Sequence, residues 1–541
     1  METYTDFVDL IAESLKKNWD LDALTDYQGV TLQYKDVARK IEKLHILFEN
    51  AGVAKGDKIA LCGRNSANWA TAFLATLTYG AVAVPILHEF KAQQVHDIVN
   101  HSEAKILFVG DMVWPELDAQ AMPHLEGIIN IPDYSVLLSR TELLTDARER
   151  LNELFGRKYP KYFRKEHISY THAADPDALA LINYTSGTTS NSKGVMLPFR
   201  ALWSNYQFAI EVLGKQVHRG DSVISMLPLA HMYGMAFEFI FEFIHGCHVY
   251  YLTRIPSPKI VLKAFGEIKP VIVISVPLII EKIIKKNVLL KLPFISGRIL
   301  DKVRQGLVEA FGGNFYEIII GGAAFNSEVE DLLNKIHFPY TVGYGATECA
   351  PIISYEDWQK FKKGSCGKAA PRMEIKIDSP DPQHTVGEIL TRGANVMLGY
   401  FKNPEATKST LVDGWYHTGD LGVMDAEGNL FIRGRSKNML LGASGQNIYP
   451  EEIEDKLNTL PYVNESIVVQ RDEKLVALIH PDYDEAERDG LDENGLRMAM
   501  EQNRKDLNVM VAAYERISSV ELHKTEFEKT PKRSIKRFLY K

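Results

Sequence analysis

Apolar positions in the first ninety residues switch period in a regular way. From 35 to 54 they recur at helical spacing, through Val37, Ile41, Leu44, Leu47 and Phe48, and Lys58–Cys62 then reads as a strand. Trp69–Tyr79 returns to a helical texture before a strand-like Ala81–Pro85. Further on, Val271–Ser275 and Glu317–Gly321 are short β-branched runs bounded by Pro or Gly, a pattern typical of strands buried on both faces. Helix and strand alternating in this way predict an α/β fold of parallel sheets covered by helices. There is no internal repeat and no low-complexity tract.

After about residue 435 the pattern changes. A glycine-containing stretch precedes a helix at 450–460, strands at Val463–Gln470 and Leu475–Ile479, and a charged region at 482–505. This predicts a separate small α+β module, joined through the basic stretch Arg433–Asn438. With 541 residues, two domains are expected: 1–434 as a large N-terminal domain and 438–541 as a small C-terminal one, hinged at about 435–437.

Charge and cysteine content narrow the function classes. With 62 basic against 70 acidic side chains the formal charge is −8, which offers no bulk attraction for nucleic acid. Cys62, Cys247, Cys349 and Cys366 are scattered without paired spacing and read as buried thiols in a reducing, cytoplasmic compartment. The N-terminus lacks the basic and apolar regions of a secretory signal. The apolar runs at 236–252 and 271–280 are interrupted by Glu238, Glu242, His245 and His248 or are too short, and fall below the ~20 residues of a spanning helix. Both read as core. Peripheral membrane contact stays open, since a lipid substrate would draw the protein to a surface.

The strongest local chemistry is Leu181-Ile-Asn-Tyr-Thr-Ser-Gly-Thr-Thr-Ser-Asn-Ser-Lys-Gly-Val195, an apolar strand running into hydroxyls, glycines and a lysine. Hydroxyls and exposed backbone N–H groups hold phosphate oxygens, and lysine supplies a point charge. The spacing is not that of a Walker A loop. The stretch resembles the phosphate loop of the adenylate-forming superfamily, which includes acyl-CoA synthetases such as long-chain fatty acid–CoA ligases, luciferases and peptide-synthetase adenylation domains. Ser190 stands where glycine is usual and Ser192 where proline is usual.

The resemblance recurs in order along nearly the whole chain. Leu227-Pro-Leu-Ala-His-Met-Tyr-Gly234 resembles the signature whose histidine, here His231, lies beside the acyl and phosphate groups. Gly321-Gly-Ala-Ala-Phe325 resembles the adenine-contacting strand end, which assigns Gly322, Ala323 and Ala324 to the nucleotide. Gly343-Tyr-Gly-Ala-Thr-Glu348 resembles the segment in which Tyr344 stacks on adenine, with Gly343 and Gly345 also at the nucleotide, Thr347 meets phosphate and Glu348 helps bind Mg²⁺. Gly414-Trp-Tyr-His-Thr-Gly-Asp420 resembles the ribose site, with Asp420 accepting from both hydroxyls and Arg435 as a second contact.

The resemblance thus implies an AMP-forming acyl-CoA synthetase. It would use ATP, Mg²⁺ and coenzyme A on a carboxylic acid, with Thr185, Ser186, Gly187, Thr188, Thr189 and Lys193 on the phosphates. It also implies a mobile C-terminal domain swinging about Lys437, and entry of the pantetheine arm past Gly445. Val276-Pro-Leu-Ile-Ile-Glu-Lys-Ile-Ile-Lys-Lys286 resembles a stretch of long-chain ligases, and Met232, Met235, Phe237 and Phe239 would suit an acyl tunnel, so a medium- or long-chain fatty acid is expected. Near the end, Glu528–Arg537 resembles the final motif, but Ser534 occupies the position of its usual lysine, with Lys532 and Lys536 as neighbouring cations. Ser190, Ser192 and Ser534 together motivate the alternatives of a non-catalytic acyl- or nucleotide-binding relative or another adenylate-forming enzyme. A plain α/β hydrolase is disfavoured because no GxSxG elbow is present.

Overall fold

The computed structural model describes residues 4–170, 175–185, 192–253, 257–287, 298–441, 446–472, 474–529 and 535–540. Its centre is an eight-stranded sheet in the order Gly399–Tyr400, Lys193–Pro198, Leu179–Thr185, Val82–Ile86, Lys58–Cys62, Ala104–Val109, Gly127–Asn130, Val136–Ser139. Five consecutive strands, from Leu179–Thr185 to Gly127–Asn130, are parallel, while both ends close with antiparallel pairs. The parallel strands are almost entirely buried, as their continuous apolar runs require.

The expected helices are present with shifted ends. Tyr34–Asn50 stops four residues before the apolar pattern does, because Ala51 caps it and Gly52 turns the chain at φ +76°. Ala67–Tyr79 starts two residues before its expected position, where the Ser66 hydroxyl accepts from Trp69 N at 3.1 Å. A parallel sheet of Ser222–Ser225, His248–Tyr251 and Asp22–Asp26 carries antiparallel Thr31–Gln33 at its edge. A second parallel sheet contains Val273–Ser275, Ile318–Ile320 and Tyr340–Val342.

The apolar run at 236–252 does form core. It folds as Met232–Met235, a π-helical turn Ala236–Ile240, and Phe241–His245, followed by His248–Tyr251. Phe239, Phe241 and Phe243 are wholly buried there, each worth ~1.5–3 kcal/mol by area removed from water. Among the described residues no helix is long and apolar enough to cross a membrane.

An antiparallel sheet, built on Met373–Asp378, Gly387–Gly393 and Trp415–Met424, ends at Leu430–Arg435. Beyond it a small unit has its own apolar cluster, including Ile448, Ile453, Leu457, Val468, Leu496, Met500 and Leu507. Its sheet pairs Val463–Arg471 antiparallel with Lys474–Pro481, which runs parallel to Ile517–Leu522. The charged region resolves into helices Tyr483–Arg488 and Glu493–Met510.

Candidate active site

The phosphate-loop strands form a hairpin in which Thr185 lies opposite Lys193. The intervening Ser186, Gly187, Thr188, Thr189 and Ser190 lie outside the described residues, as does Gly445. The exposed Lys193 ammonium sits over the Tyr400 ring, 4.6 Å from its centroid. The Tyr400 hydroxyl in turn donates to Glu348 Oε1 at 2.9 Å. Lys193 and Glu348, 155 positions apart in the sequence, thus meet through one aromatic side chain.

His231 caps the helix Met232–Met235, its Nδ1 accepting from Tyr233 N at 3.2 Å. A ring that accepts at Nδ1 carries its proton on Nε2. The loop leading to His231 is fixed from three sides. Asn65 Nδ2 donates to Leu227 O at 2.6 Å and its Oδ1 accepts from Leu229 N at 2.9 Å. Asn183, on the phosphate-loop strand, donates to Ala230 O at 2.9 Å. Glu238 Oε2 accepts from Met226 N and Leu227 N at 3.0 and 2.8 Å. Burial still pushes the Glu238 carboxyl well above the usual range, against these bonds.

The Tyr233 hydroxyl donates to Ile319 O at 3.0 Å, and its ring lies against Gly321, bringing the histidine signature onto the end of the strand Ile318–Ile320. Gly322, Ala323 and Ala324 are exposed just past Ile318–Ile320. Gly343 N donates to Ile320 O at 2.9 Å, which sets the next signature beside them. At Gly345 a Cβ would fall 2.4 Å from Pro351 O, so only glycine allows this close turn. Thr347 is buried in the short 3-10 turn Thr347–Cys349, which presents Glu348.

The resemblance assigns Tyr344 a stacking role through its ring face. Tyr344 also donates its hydroxyl to Asp420 Oδ2 at 2.6 Å. Arg435, the cross-strand partner of Asp420, places Nε 2.9 Å from Oδ1. Burial pushes the Asp420 carboxyl up, while Arg435 and then the Tyr344 hydrogen bond pull it down. Arg435 is held above its ordinary value first by Asp420. The turn before Asp420 hangs on Glu388, whose two oxygens take Gly419 N at 2.9 Å and His417 Nδ1 at 3.0 Å.

Lys437 follows in the turn Ser436–Asn438. Its ammonium is held below the ordinary value by lost hydration and by Arg435, with Lys193 adding to this and Asp420 opposing it. One electrostatic neighbourhood therefore includes Lys193, Asp420, Arg435 and Lys437. At Gly434, with φ +146°, a Cβ would meet Glu451 Oε2 at 2.8 Å, and Asn438 donates to Glu451 Oε1 at 2.6 Å. The segment 434–438 is thus laid directly on the helix Pro450–Leu457 of the small unit.

In the final motif, Ser534 and Lys532 lie outside the described residues. Lys536 pairs with Glu528 at 2.5 Å, and Arg537 pairs with Glu454. Met232, Met235, Phe237 and Phe239 are at most 5% exposed, and Ile280, Ile283 and Ile284 belong to the second apolar core, so these positions are core. All four cysteines are unpaired, and burial pushes Cys62 and Cys366 up to about 12, with Cys247 and Cys349 also raised. None is poised as a nucleophile. No local motif marks the roles of Tyr400, Asn65, Asn183, Glu238 and Glu388. Their role lies in bonds to segments remote in the chain.

Comparison with known proteins decides the family. A family model described as AMP-binding enzyme matches residues 11–401, most of the chain. The chain belongs to the AMP-binding enzyme family. Within this adenylate-forming superfamily it is an AMP-forming acid–thiol ligase. It is 27% identical over 465 residues to a long-chain-fatty-acid–CoA ligase, FadD15, of Mycobacterium bovis, covering 80% of this chain and 74% of the relative. It is 26% identical over 512 residues to a putative acyl–CoA ligase, YdaB, of Bacillus subtilis, covering 93% and 92%. The anthranilate CoA ligase AuaEII with anthranoyl-AMP superposes with TM-score 0.80 at 22% identity, over 100% of this chain and 97% of that one. ATP-bound MatB from Rhodopseudomonas palustris gives 0.77 at 23%, over 99% and 98%. Both share the fold.

Proposed function

We propose that this AMP-binding enzyme activates a medium- or long-chain fatty acid with ATP and transfers the acyl group to coenzyme A. The observation that carries the reading is the buried carboxylate of Asp420, held between Tyr344 and Arg435 at a point electrostatically joined to Lys193 and Lys437. A carboxylate fits a ribose diol, and the cations beside it fit a triphosphate.

In this reading the acid's carboxylate attacks the α-phosphorus of ATP, a mixed anhydride forms and pyrophosphate leaves. Lys193 and the hydroxyl loop opening at Thr185 hold the phosphates, and Thr347 and His231 flank the reacting groups. Among the described residues no three His, Cys, Asp or Glu side chains gather as a metal cage. By the resemblance of the Gly343–Glu348 segment, Mg²⁺ would be held by Glu348 together with phosphate oxygens, the usual mode for this ion, and would neutralise developing charge. The thiol of coenzyme A then attacks the acyl carbon and AMP departs. A domain boundary at about 435–437, with alternation about Lys437, separates the two steps, and the reaction is placed in the cytoplasm.

The fatty acid rests on the stretch Val276–Lys286 and on relatives named as long-chain ligases. An acid panel of graded chain length tests it, with ATP, Mg²⁺ and coenzyme A, read by pyrophosphate and thioester. Highest kcat/KM on short or aromatic acids would replace the fatty acid. The reading of a slow or non-catalytic relative is motivated by Ser190, Ser192 and Ser534, and predicts nucleotide binding without acid-dependent pyrophosphate.

A further inference from the structure

We infer that Tyr400 is a positioning residue for adenylation, coupling the phosphate-binding Lys193 to the metal-binding carboxylate of Glu348. The inference rests on the roles proposed above for those two residues and adds a third side chain that bridges them.

Tyr400 is placed by backbone bonding on both sides. It lies in the two-residue strand Gly399–Tyr400, paired antiparallel with the lysine's own strand, so that Tyr400 stands opposite Val195 and Gly399 opposite Met196. Phe401 N donates to Gly194 O at 2.7 Å and Leu398 N to Met196 O at 2.9 Å. Three residues earlier, Met397 N donates to Glu348 O at 2.8 Å. The segment 397–401 is therefore stitched to the Glu348 turn at one end and to the Lys193 strand at the other. Tyr400 itself is 5% exposed.

Each part of the side chain has a separate task. The ring face receives the Lys193 ammonium at 4.6 Å. Among the described residues Lys193 makes no ion pair. A quadrupole face attracts the cation without neutralising it, leaving its N–H donors for phosphate. The hydroxyl donates to only one oxygen of Glu348, at 2.9 Å. Because it gives a proton and holds one oxygen, the other oxygen keeps its lone pairs for a hard cation. A direct Lys193–Glu348 ion pair would satisfy both groups and leave neither for the substrate. The tyrosine keeps them close and separately available.

The two contacts separate experimentally. Tyr400→Phe keeps the ring under Lys193 and removes the bond to Glu348, while Tyr400→Leu removes both. ATP affinity is measured by calorimetry over a Mg²⁺ titration, with single-turnover pyrophosphate release on the same samples and thermal unfolding as the folding control. Loss of an outer-shell partner of a metal ligand typically costs 10–100-fold in metal affinity or activity. Tyr400→Phe should therefore raise the Mg²⁺ midpoint by about tenfold or more, with ATP affinity in the absence of Mg²⁺ unchanged. Tyr400→Leu should show the same midpoint shift and also weaken Mg²⁺-free ATP binding, and that extra loss should vanish in a Lys193→Met background. An unshifted Mg²⁺ midpoint in a folded Tyr400→Phe protein, or additive effects of Tyr400→Leu and Lys193→Met, would overturn the proposal. A parent protein that fails to bind ATP would instead overturn the proposed function on which it rests.

Discussion

Tyr344 and Asp420, 76 residues apart, are joined by a 2.6 Å hydrogen bond whose acceptor carboxylate is also gripped by Arg435. The group assigned to the ribose is thus already partnered by the protein. This keeps a buried carboxylate tolerable before nucleotide arrives. It also means that nucleotide must add to, or exchange with, bonds already made.

Asp420→Ala should weaken ATP binding about 10–100-fold, the scale of hydrogen bonds to a charged group, and leave Arg435 without its ion-pair partner. Calorimetry with ATP measures this. Unchanged affinity in a folded variant would remove Asp420 from the ribose site.

Glu388 makes no predicted contact with substrate, yet it holds Gly419 N and His417. Glu388→Ala should loosen the turn carrying Asp420 and raise the KM for ATP severalfold, by less than Asp420→Ala. Glu388→Gln retains an acceptor for Gly419 N and should fall between parent and alanine. Equal KM values across all three proteins would contradict a positioning role.

Glu242 supplies a pH prediction. It is wholly buried, neither oxygen has a hydrogen-bond partner among the described residues, and burial raises its carboxyl from 4.5 to about 8. Between those values the folded protein holds a proton that the unfolded chain has released. Stability from this group is fully present below pH 4.5 and declines as pH rises to about 8, by at most about 1.4 kcal/mol per pH unit. Glu242→Gln should remove that slope. Denaturant midpoints should therefore be similar at pH 5 and favour the glutamine variant at pH 8. A parent protein whose stability does not fall relative to the variant over this range would refute the assignment.

Lys437 lies between the Leu430–Arg435 strand and the helix of the small unit. Lys437→Pro restricts φ and removes a donor. If domain alternation turns on this residue, one half-reaction should lose far more rate than the other. Separate assays of adenylation and of thioester formation from preformed acyl-adenylate distinguish this from equal impairment.

Much of the fold is legible in local sequence pattern. Lys58–Cys62 forms with its expected ends, because a short apolar run between two helical patterns has few alternatives. Helix ends were less visible: the Ser66 cap and the Gly52 turn each moved a boundary. In the site, Tyr344, Asp420, Glu348 and Lys193 stand in short local motifs and could be named. Tyr400, Glu388 and Asn65 could not, because their meaning lies in partners 52, 31 and 162 residues away. Likewise the Tyr344 motif suggested a ring beside adenine and gave no sign of the hydroxyl's bond to Asp420.

The most direct test of the account is single-turnover pyrophosphate release with ATP and Mg²⁺, with and without a long-chain fatty acid, before coenzyme A is added. The predicted result is an acid-dependent burst approaching one pyrophosphate per active site, followed on addition of coenzyme A by AMP release and thioester. A folded protein that binds ATP yet releases no pyrophosphate with any acid, or releases it at the same rate without acid, would contradict acyl-adenylate formation.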